Sequence, residues 1–501
     1  MPSYIELDKQ ASFPASSNVG KLILGVSTSN EVTITNSEGT TSVVGGGGTP
    51  LPYLEYISKI SNVNSGLVKI TSVLNNTLGI NPVWVKTDED YYQFKFNSAI
   101  DVDKAISNVP RIDDVDNYSN ILNKLSVTNN FGNGFNGTVS SIAVQSDGKI
   151  LVGGAFTGYS GTTANYIIRL FSDGSIDNTF NTGTGFNNLV FSIAIQSDDK
   201  ILVGGAFTDY NGTTANNIIR LNTNGSIDNT FNTGTGFNGV LYSIVIQSDD
   251  KILVGGQFAD YNGTTANYII RLNSNGSVDN TFNTGTGFDD EVRSIAIQSD
   301  DKILVGGQFT DYNGTTANNI IRLNTDGSVD NTFNYGTGFD NLVYSIAIQS
   351  DGKILVGGEF TVYNGTGTNN IIRLNTDGSV DNTFNTGTGF DGTVLSIAIQ
   401  SDGKILVGGQ FTDYNGTGVN YIIRLSTDGS VDYDINYGTD FNSEVRSIAI
   451  QSDGNIMVGG AFTNGDFYGN YIRKINNEFI FYLYKADDIL NKQPIEIRLY
   501  N

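Results

Sequence analysis

The chain has 501 residues, no cysteine and no histidine, and 28 Lys+Arg against 51 Asp+Glu for a formal charge of -23. The missing residue types exclude disulfides, Cys/His zinc sites, cysteine nucleophiles and a Ser-His-Asp triad, and the acidity excludes the basic face that nucleic-acid binding needs. The length allows several units. The start MPSYIELDKQ has no basic stretch leading into an apolar core, and no run approaches the ~20 apolar residues of a membrane span, so neither a leader nor a membrane partner is expected.

Residues 1–48 read as a β attachment segment: KLILGVSTSNEVTIT makes a strand pair turning at Ser29-Asn30, NSEG turns back, and Gly45 to Gly48 followed by TPLP gives a flexible joint and then a stiff one. Residues 49–126 read as a small β-rich domain plus connector, with strands in ITSVLNNTLGINPVWVKTDEDYYQFKF and a charged, weakly helical connector from Ile100 to Val127.

From 127 to 485 the chain repeats itself. The unit SIAIQSDDKILVGGAFTDYNGTTANNIIRLNTNGSIDNTFNTGTGF recurs with its arginine at Arg169, Arg220, Arg271, Arg322, Arg373 and Arg424, 51 residues apart, and Arg473 follows at 49. Paired glycines opening at Gly153, Gly204, Gly255, Gly306, Gly357, Gly408 and Gly459 give the same count of seven. Within a unit, SIAIQ and KILVGG are β-branched runs joined by SDG or SDD, turns that tolerate positive φ. NNIIRL is a third strand, and a weaker fourth lies around SIDNTF after another turn. Four strands per ~50 residues with no 3.6-residue period predict an all-β fold, a seven-bladed β-propeller. The ring needs a closing strand, and two stretches qualify: Asn130 to Phe135, which echoes the NTFNTGTGF before later units, or Phe479 to Lys485. Residues 486–501 add one C-terminal strand.

Residues present in every blade are scaffold before they are site. The recurring arginine reads as a structural ion pair with an aspartate such as Asp228 or Asp330, against a ring of anion-binding arginines. Asp326, Ser328 and Asp330 superficially resemble a calcium loop, but a hairpin turn explains them without one. Tyr159, Tyr210, Tyr261, Tyr312, Tyr363 and Tyr414 sit beside Asn or Ser and Gly, either stacking sugars or packing each loop on its own blade. Differences between blades say more. The position before SIAI runs through Ser140, Phe191, Tyr242, Arg293, Tyr344, Leu395 and Arg446, and Thr gives way to Tyr at Tyr335 and Tyr437. An exposed rim where a partner chooses among these residues is one reading and neutral drift the other. Tyr242, Arg293, Tyr335, Tyr344, Tyr437 and Arg446 are therefore the candidate ligand-binding residues. No catalytic residue, metal or cofactor is expected. The route left to an enzyme is a carboxylate pair, and Glu291, Glu359 and Glu444 are the glutamates available.

The unit SIAVQSDGKILVGGAFTGYSGTTANYIIRLFSDGSIDNTFN resembles the delta-60 repeat, a propeller-forming family found on large secreted bacterial proteins and in phage proteins. The stretches YIELDKQASFPASSNVGKLILGV and VLNNTLGINPVWVKT are similar to segments of tailed-phage virion structural proteins. That resemblance implies a fibre or decoration protein located in the virion. Its N-terminal region would contact other virion proteins and its propeller a host surface glycan or protein, in a symmetric homo-oligomer. A bacterial surface or secreted binding propeller is the first alternative, and a carboxylate-dependent glycan-degrading enzyme the second.

Overall fold

A 51-residue unit whose short strands are apolar on both faces buries them by stacking on copies of itself. The computed structural model describes residues 131–432, 441–463 and 470–475, with the backbone of strands toward both ends of the chain. Ser29-Asn30, the Gly45 to Gly48 joint, the connector up to Ser126 and Tyr437 lie outside the described residues. The chain divides into two units, one of Met1–Ser126 with Asn477–Asn501 and one of Val127–Asn476. Among the described residues there is no helix.

The first unit contains an antiparallel meander of Tyr4–Leu7, Leu22–Val26, Val32–Thr35 and Thr41–Val43. It also contains a sheet in which Glu478–Leu483 pairs with Ile495–Tyr500, which runs parallel to Tyr92–Lys95 beside Val83–Lys86.

The second unit is the propeller. Blade 1 has Val139–Val144 innermost, Ile150–Gly154 beside it and Ile167–Leu170 next. A fourth segment joins through the single bridge between Leu170 and Ile176. The order recurs to the seventh blade, Val445–Ile450, Ile456–Gly460 and Ile472–Ile475. The SDG and SDD turns take positive φ as their sequence predicts, 82° at Gly148 and 62° at Asp199, Asp250 and Asp301.

Two devices join each blade to the next. A Cβ on Gly255 would lie 2.5 Å from Val292 Cγ1 of the following blade, so the first glycine of each pair is the space into which the neighbour packs. The inner strands, which would otherwise leave edge N–H groups unpaired, are joined by serine. The Ser141 hydroxyl accepts the Ile193 N–H at 3.2 Å, and Ser192, Ser243, Ser294, Ser345 and Ser396 do the same for Ile244, Ile295, Ile346, Ile397 and Ile448. Ser447 completes the circle on Ile142 at 3.0 Å.

Ring closure comes from the segment before the first blade. Val127 and Thr128 pair with Ile475 and Lys474, and Gly134 bridges Asn470, so one closing pair precedes the Asn130 to Phe135 stretch and the other falls within it. The other candidate closing strand, Phe479 to Lys485, is corrected: Glu478–Leu483 pairs with Ile495–Tyr500 and not with the seventh blade. The seventh arginine is a second correction. Lys474 stands opposite Met457, where Arg424 stands opposite Leu406 one blade earlier, and Arg473 occupies the position of Ile423 on the other face. The last repeat is shortened, and the shortening moves the register, so lysine holds the closing position.

Gly255→Ala is expected to destabilise the propeller by roughly 1 to 3 kcal/mol through overpacking. Calorimetry of Gly255→Ala, Val292→Ala and the double variant checks this. The double variant should lose less than the sum of the two singles, because the second truncation vacates the space the first one needs.

Candidate functional site

The repeated polar residues are consumed by the scaffold. Arg220 Nε donates to Asp228 Oδ2 at 2.7 Å, Nη2 to Thr230 Oγ1 at 2.9 Å and Nη1 to the Ser274 carbonyl of the next blade at 2.5 Å, with the guanidinium 4.8 Å from the Phe231 ring centre. Arg322 does the same with Asp330 at 2.7 Å. At the closing seam, Lys474 Nζ reaches the matching carbonyl of blade 1, Ser172 O, at 3.3 Å. Burial pushes the Asp228 carboxyl up, but the Thr230 hydroxyl and N–H and the Arg220 guanidinium outweigh it and hold the carboxyl well below the usual range. The same balance holds Asp279 at about 2. Between blades this network borders a cleft of about 360 Å³ lined by Gln247, Ser248, Lys251 and Arg271. Its cations are already paired: Lys251 lies 3.0 Å from Asp249 and 3.5 Å from Asp279.

The hairpin tyrosines pack their own blades. Tyr210 is 1% exposed, its hydroxyl donates to the Gly225 carbonyl at 2.6 Å and its ring lies 4.6 Å from that of Phe186. Tyr159, Tyr261, Tyr312, Tyr363 and Tyr414 repeat the arrangement, so no face is left for a sugar to stack on. The Asp326 loop is a turn: Oδ1 accepts from the Ser328 N–H at 3.0 Å and the Ser328 hydroxyl at 2.6 Å. Among the described residues no cluster of three carboxylates could hold a metal ion.

The variable residues before SIAI share one structural address. The pairing of each inner strand skips a residue there, between Leu241 and Ser243, between Val292 and Ser294 and between Val343 and Ser345, so Tyr242, Arg293 and Tyr344 sit at β-bulges. A bulge re-aims its side chain out of the ladder, which lets this position vary without disturbing the core. The position lies on the innermost strands and is half-buried except at Arg446, a correction to the exposed rim. Because neighbouring inner strands touch, these side chains meet across blades. The Phe191 and Tyr242 rings are 5.6 Å apart, the Arg293 guanidinium lies 3.9 Å from the Tyr242 ring centre, and 5.7 Å separates it from that of Tyr344. Four of seven blades thus contribute to one aromatic and cationic arc. It opens on the face that carries the hairpins, since inner strands begin where the second strands end. Burial raises the tyrosine pKa at Tyr242 and Tyr344; Arg293 opposes that shift, so both phenols stay protonated donors at neutral pH.

The remaining candidates take no part in the arc, although Arg446 sits at the same bulge in blade 7. Arg446 pairs with Glu444, which also accepts from Gln410 Nε2. Tyr335 fills the seam between blades 4 and 5, its hydroxyl donating to the Thr316 carbonyl at 2.9 Å. Glu291 is 4% exposed and accepts from Arg293 Nε at 2.6 Å. The bulge itself has no sequence signature beyond the change of residue type. The Glu-Val-Arg spacing that puts Glu291 and Arg293 together is visible in EVRSIAI.

The fold defines the class: a seven-bladed β-propeller of near-identical blades. The family described as "Domain of unknown function (DUF5122) beta-propeller" matches seven segments, 145–180, 196–231, 247–282, 298–333, 349–384, 400–434 and 451–478. No curated protein sequence matches the chain. Solved structures similar to it include the WD40 β-propeller domain of Doa1, at 16% identity and TM-score 0.43 over 68% of this chain and 94% of that one. Virginiamycin B lyase from Staphylococcus aureus is similar at 16% identity and TM-score 0.41, over 70% of this chain and 97% of that one.

The aspartates predict a pH profile. A carboxyl whose folded pKa lies below its unfolded value of about 3.9 contributes stability above that value and loses it as pH falls through the folded one. Unfolding free energy should therefore start to fall near pH 4, from the unfolded value, and keep falling through about 2, the Asp279 value. Denaturant titrations across that window check it. Asp228→Ala strands a buried guanidinium and should cost roughly 3 to 5 kcal/mol at neutral pH.

Proposed function

We propose that this chain is a structural part of a phage particle, attached through its N-terminal region, and that its propeller displays Phe191, Tyr242, Arg293 and Tyr344 for adhesion or protein contact without catalysis. The observation that carries the contact reading is the convergence of the blade-to-blade differences. In a ring of near-identical units, bulky aromatic and cationic residues at one bulge position join into a continuous arc on one face. Rigid aromatic and arginine side chains carry most of the energy at binding surfaces. The virion reading draws its support from the similarity of YIELDKQASFPASSNVGKLILGV and VLNNTLGINPVWVKT to tailed-phage structural proteins. The non-catalytic reading draws on Glu291 and Glu444 being held by arginines two residues along the same strand.

Mass spectrometry and electron microscopy of purified particles test the first half, with the chain expected in stoichiometric amount at a symmetric site. Its absence there would sink the virion role. Glycan and host-protein arrays probed with the full chain test the second half. Tyr242→Ala or Tyr344→Ala should weaken the captured ligand about tenfold or more with thermal midpoints unchanged. Polysaccharide turnover abolished by Glu291→Gln or Glu359→Gln would overturn the binding-only reading.

A further inference from the structure

The hairpins of blades 2 to 6 end in five Asn-Gly pairs, beginning at Asn211, Asn262, Asn313, Asn364 and Asn415. All are exposed, with φ between 45° and 52° at the asparagines and between 75° and 78° at the glycines. In all five the asparagine Oδ1 accepts a backbone N–H from the connection leading into its own blade, at 3.0 to 3.2 Å. That bond draws electron density from Cγ and makes it the better electrophile. The nucleophile is treated differently. The N–H groups of Gly212, Gly263, Gly314 and Gly416 donate at 2.7 to 2.9 Å to the carboxylates of Asp209, Asp260, Asp311 and Asp413. A carboxylate acceptor strengthens the hold on that proton and turns the amide away from its own asparagine. In blade 5 the position is Val362, whose side chain has no acceptor.

We propose that Asn364 is a site of spontaneous modification that the other four hairpins are built to resist. The Gly365 nitrogen gives its proton to solvent base and bonds to Asn364 Cγ. The Cγ–Nδ2 bond breaks, and ammonia leaves. Water then opens the resulting succinimide at either carbonyl, yielding aspartate or isoaspartate, with no change of oxidation state. The product places a carboxylate, or an extra backbone methylene, in a two-residue turn on the face that carries Tyr344 and its arc.

Each Asn-Gly pair lies in its own tryptic peptide, 201–220, 252–271, 303–322, 354–373 and 405–424, so one digest reads all five. The full chain is held at mildly alkaline pH, and deamidated and isoaspartyl forms are counted by mass spectrometry over time. Peptide 354–373 should convert roughly three- to tenfold faster than the others, the factor that one hydrogen bond supplies. Val362→Asp should bring it down to the common rate, and Asp311→Val should raise Asn313 to match. In urea, where every pair sits in the same Tyr-Asn-Gly-Thr context, the five rates should converge. Equal rates in the folded chain, a lead that survives Val362→Asp, or the same lead in urea would each overturn the proposal.

Discussion

Blades 1 to 5 each tie one buried arginine to the next blade. The arginine of the third strand is neutralised inside its own blade by an aspartate eight residues on, and its free arm closes on a turn carbonyl of the next blade. A guanidinium suits the task because it is planar, always charged and holds several donors in fixed directions. Burying it is costly unless its donors are occupied, so in blades 1 to 5 the aspartate, the threonine two residues beyond it and the turn carbonyl act as one set. The set explains why IIRL, DGS and the SIDNT or SVDNT stretch travel together through the repeat. At the closing seam the segment before the first blade sets Thr128 opposite Lys474 in the ladder, and that cation lies half in solvent.

Because that set and the glycine and serine contacts recur around the ring, they use up the residues that vary least. Variation is left to positions the packing ignores. The β-bulge supplies one per blade at the start of the inner strand, where neighbouring strands come closest to the axis. Substitutions there accumulate side by side, and adjacency turns separate changes into one surface.

The sequence was legible where a physical rule repeats. The blade count, strand order, positive-φ turns and Arg–Asp pairing follow from spacing and residue type, each confirmed many times within one chain. It was less legible where one unit departs from the rest. Arg473 looked like the seventh arginine because the eye follows the residue, whereas the ladder follows register, and one deleted residue moves lysine into place. The hairpin tyrosines leave two readings open in the sequence, because nothing in FTDYNG shows that Phe186 and its equivalents cover the ring. The arc was visible as a set of variable residues, but its location depended on a bulge, and a bulge is a property of the partner strand as much as of its own.

Charge limits what such an arc can hold. At -23 the whole chain repels polyanions at long range, and the two arginines placed at bulges arrive with their own glutamates two residues earlier. Glu291 takes up the Nε side of Arg293, leaving the guanidinium face against Tyr242 as the feature presented. A neutralised, stacked guanidinium flanked by tyrosine hydroxyls offers shape, planar stacking and directional donors with little net field. Those properties favour a neutral or zwitterionic surface recognised at short range, where contact area and hydrogen-bond geometry decide, over a charged ligand drawn in from a distance.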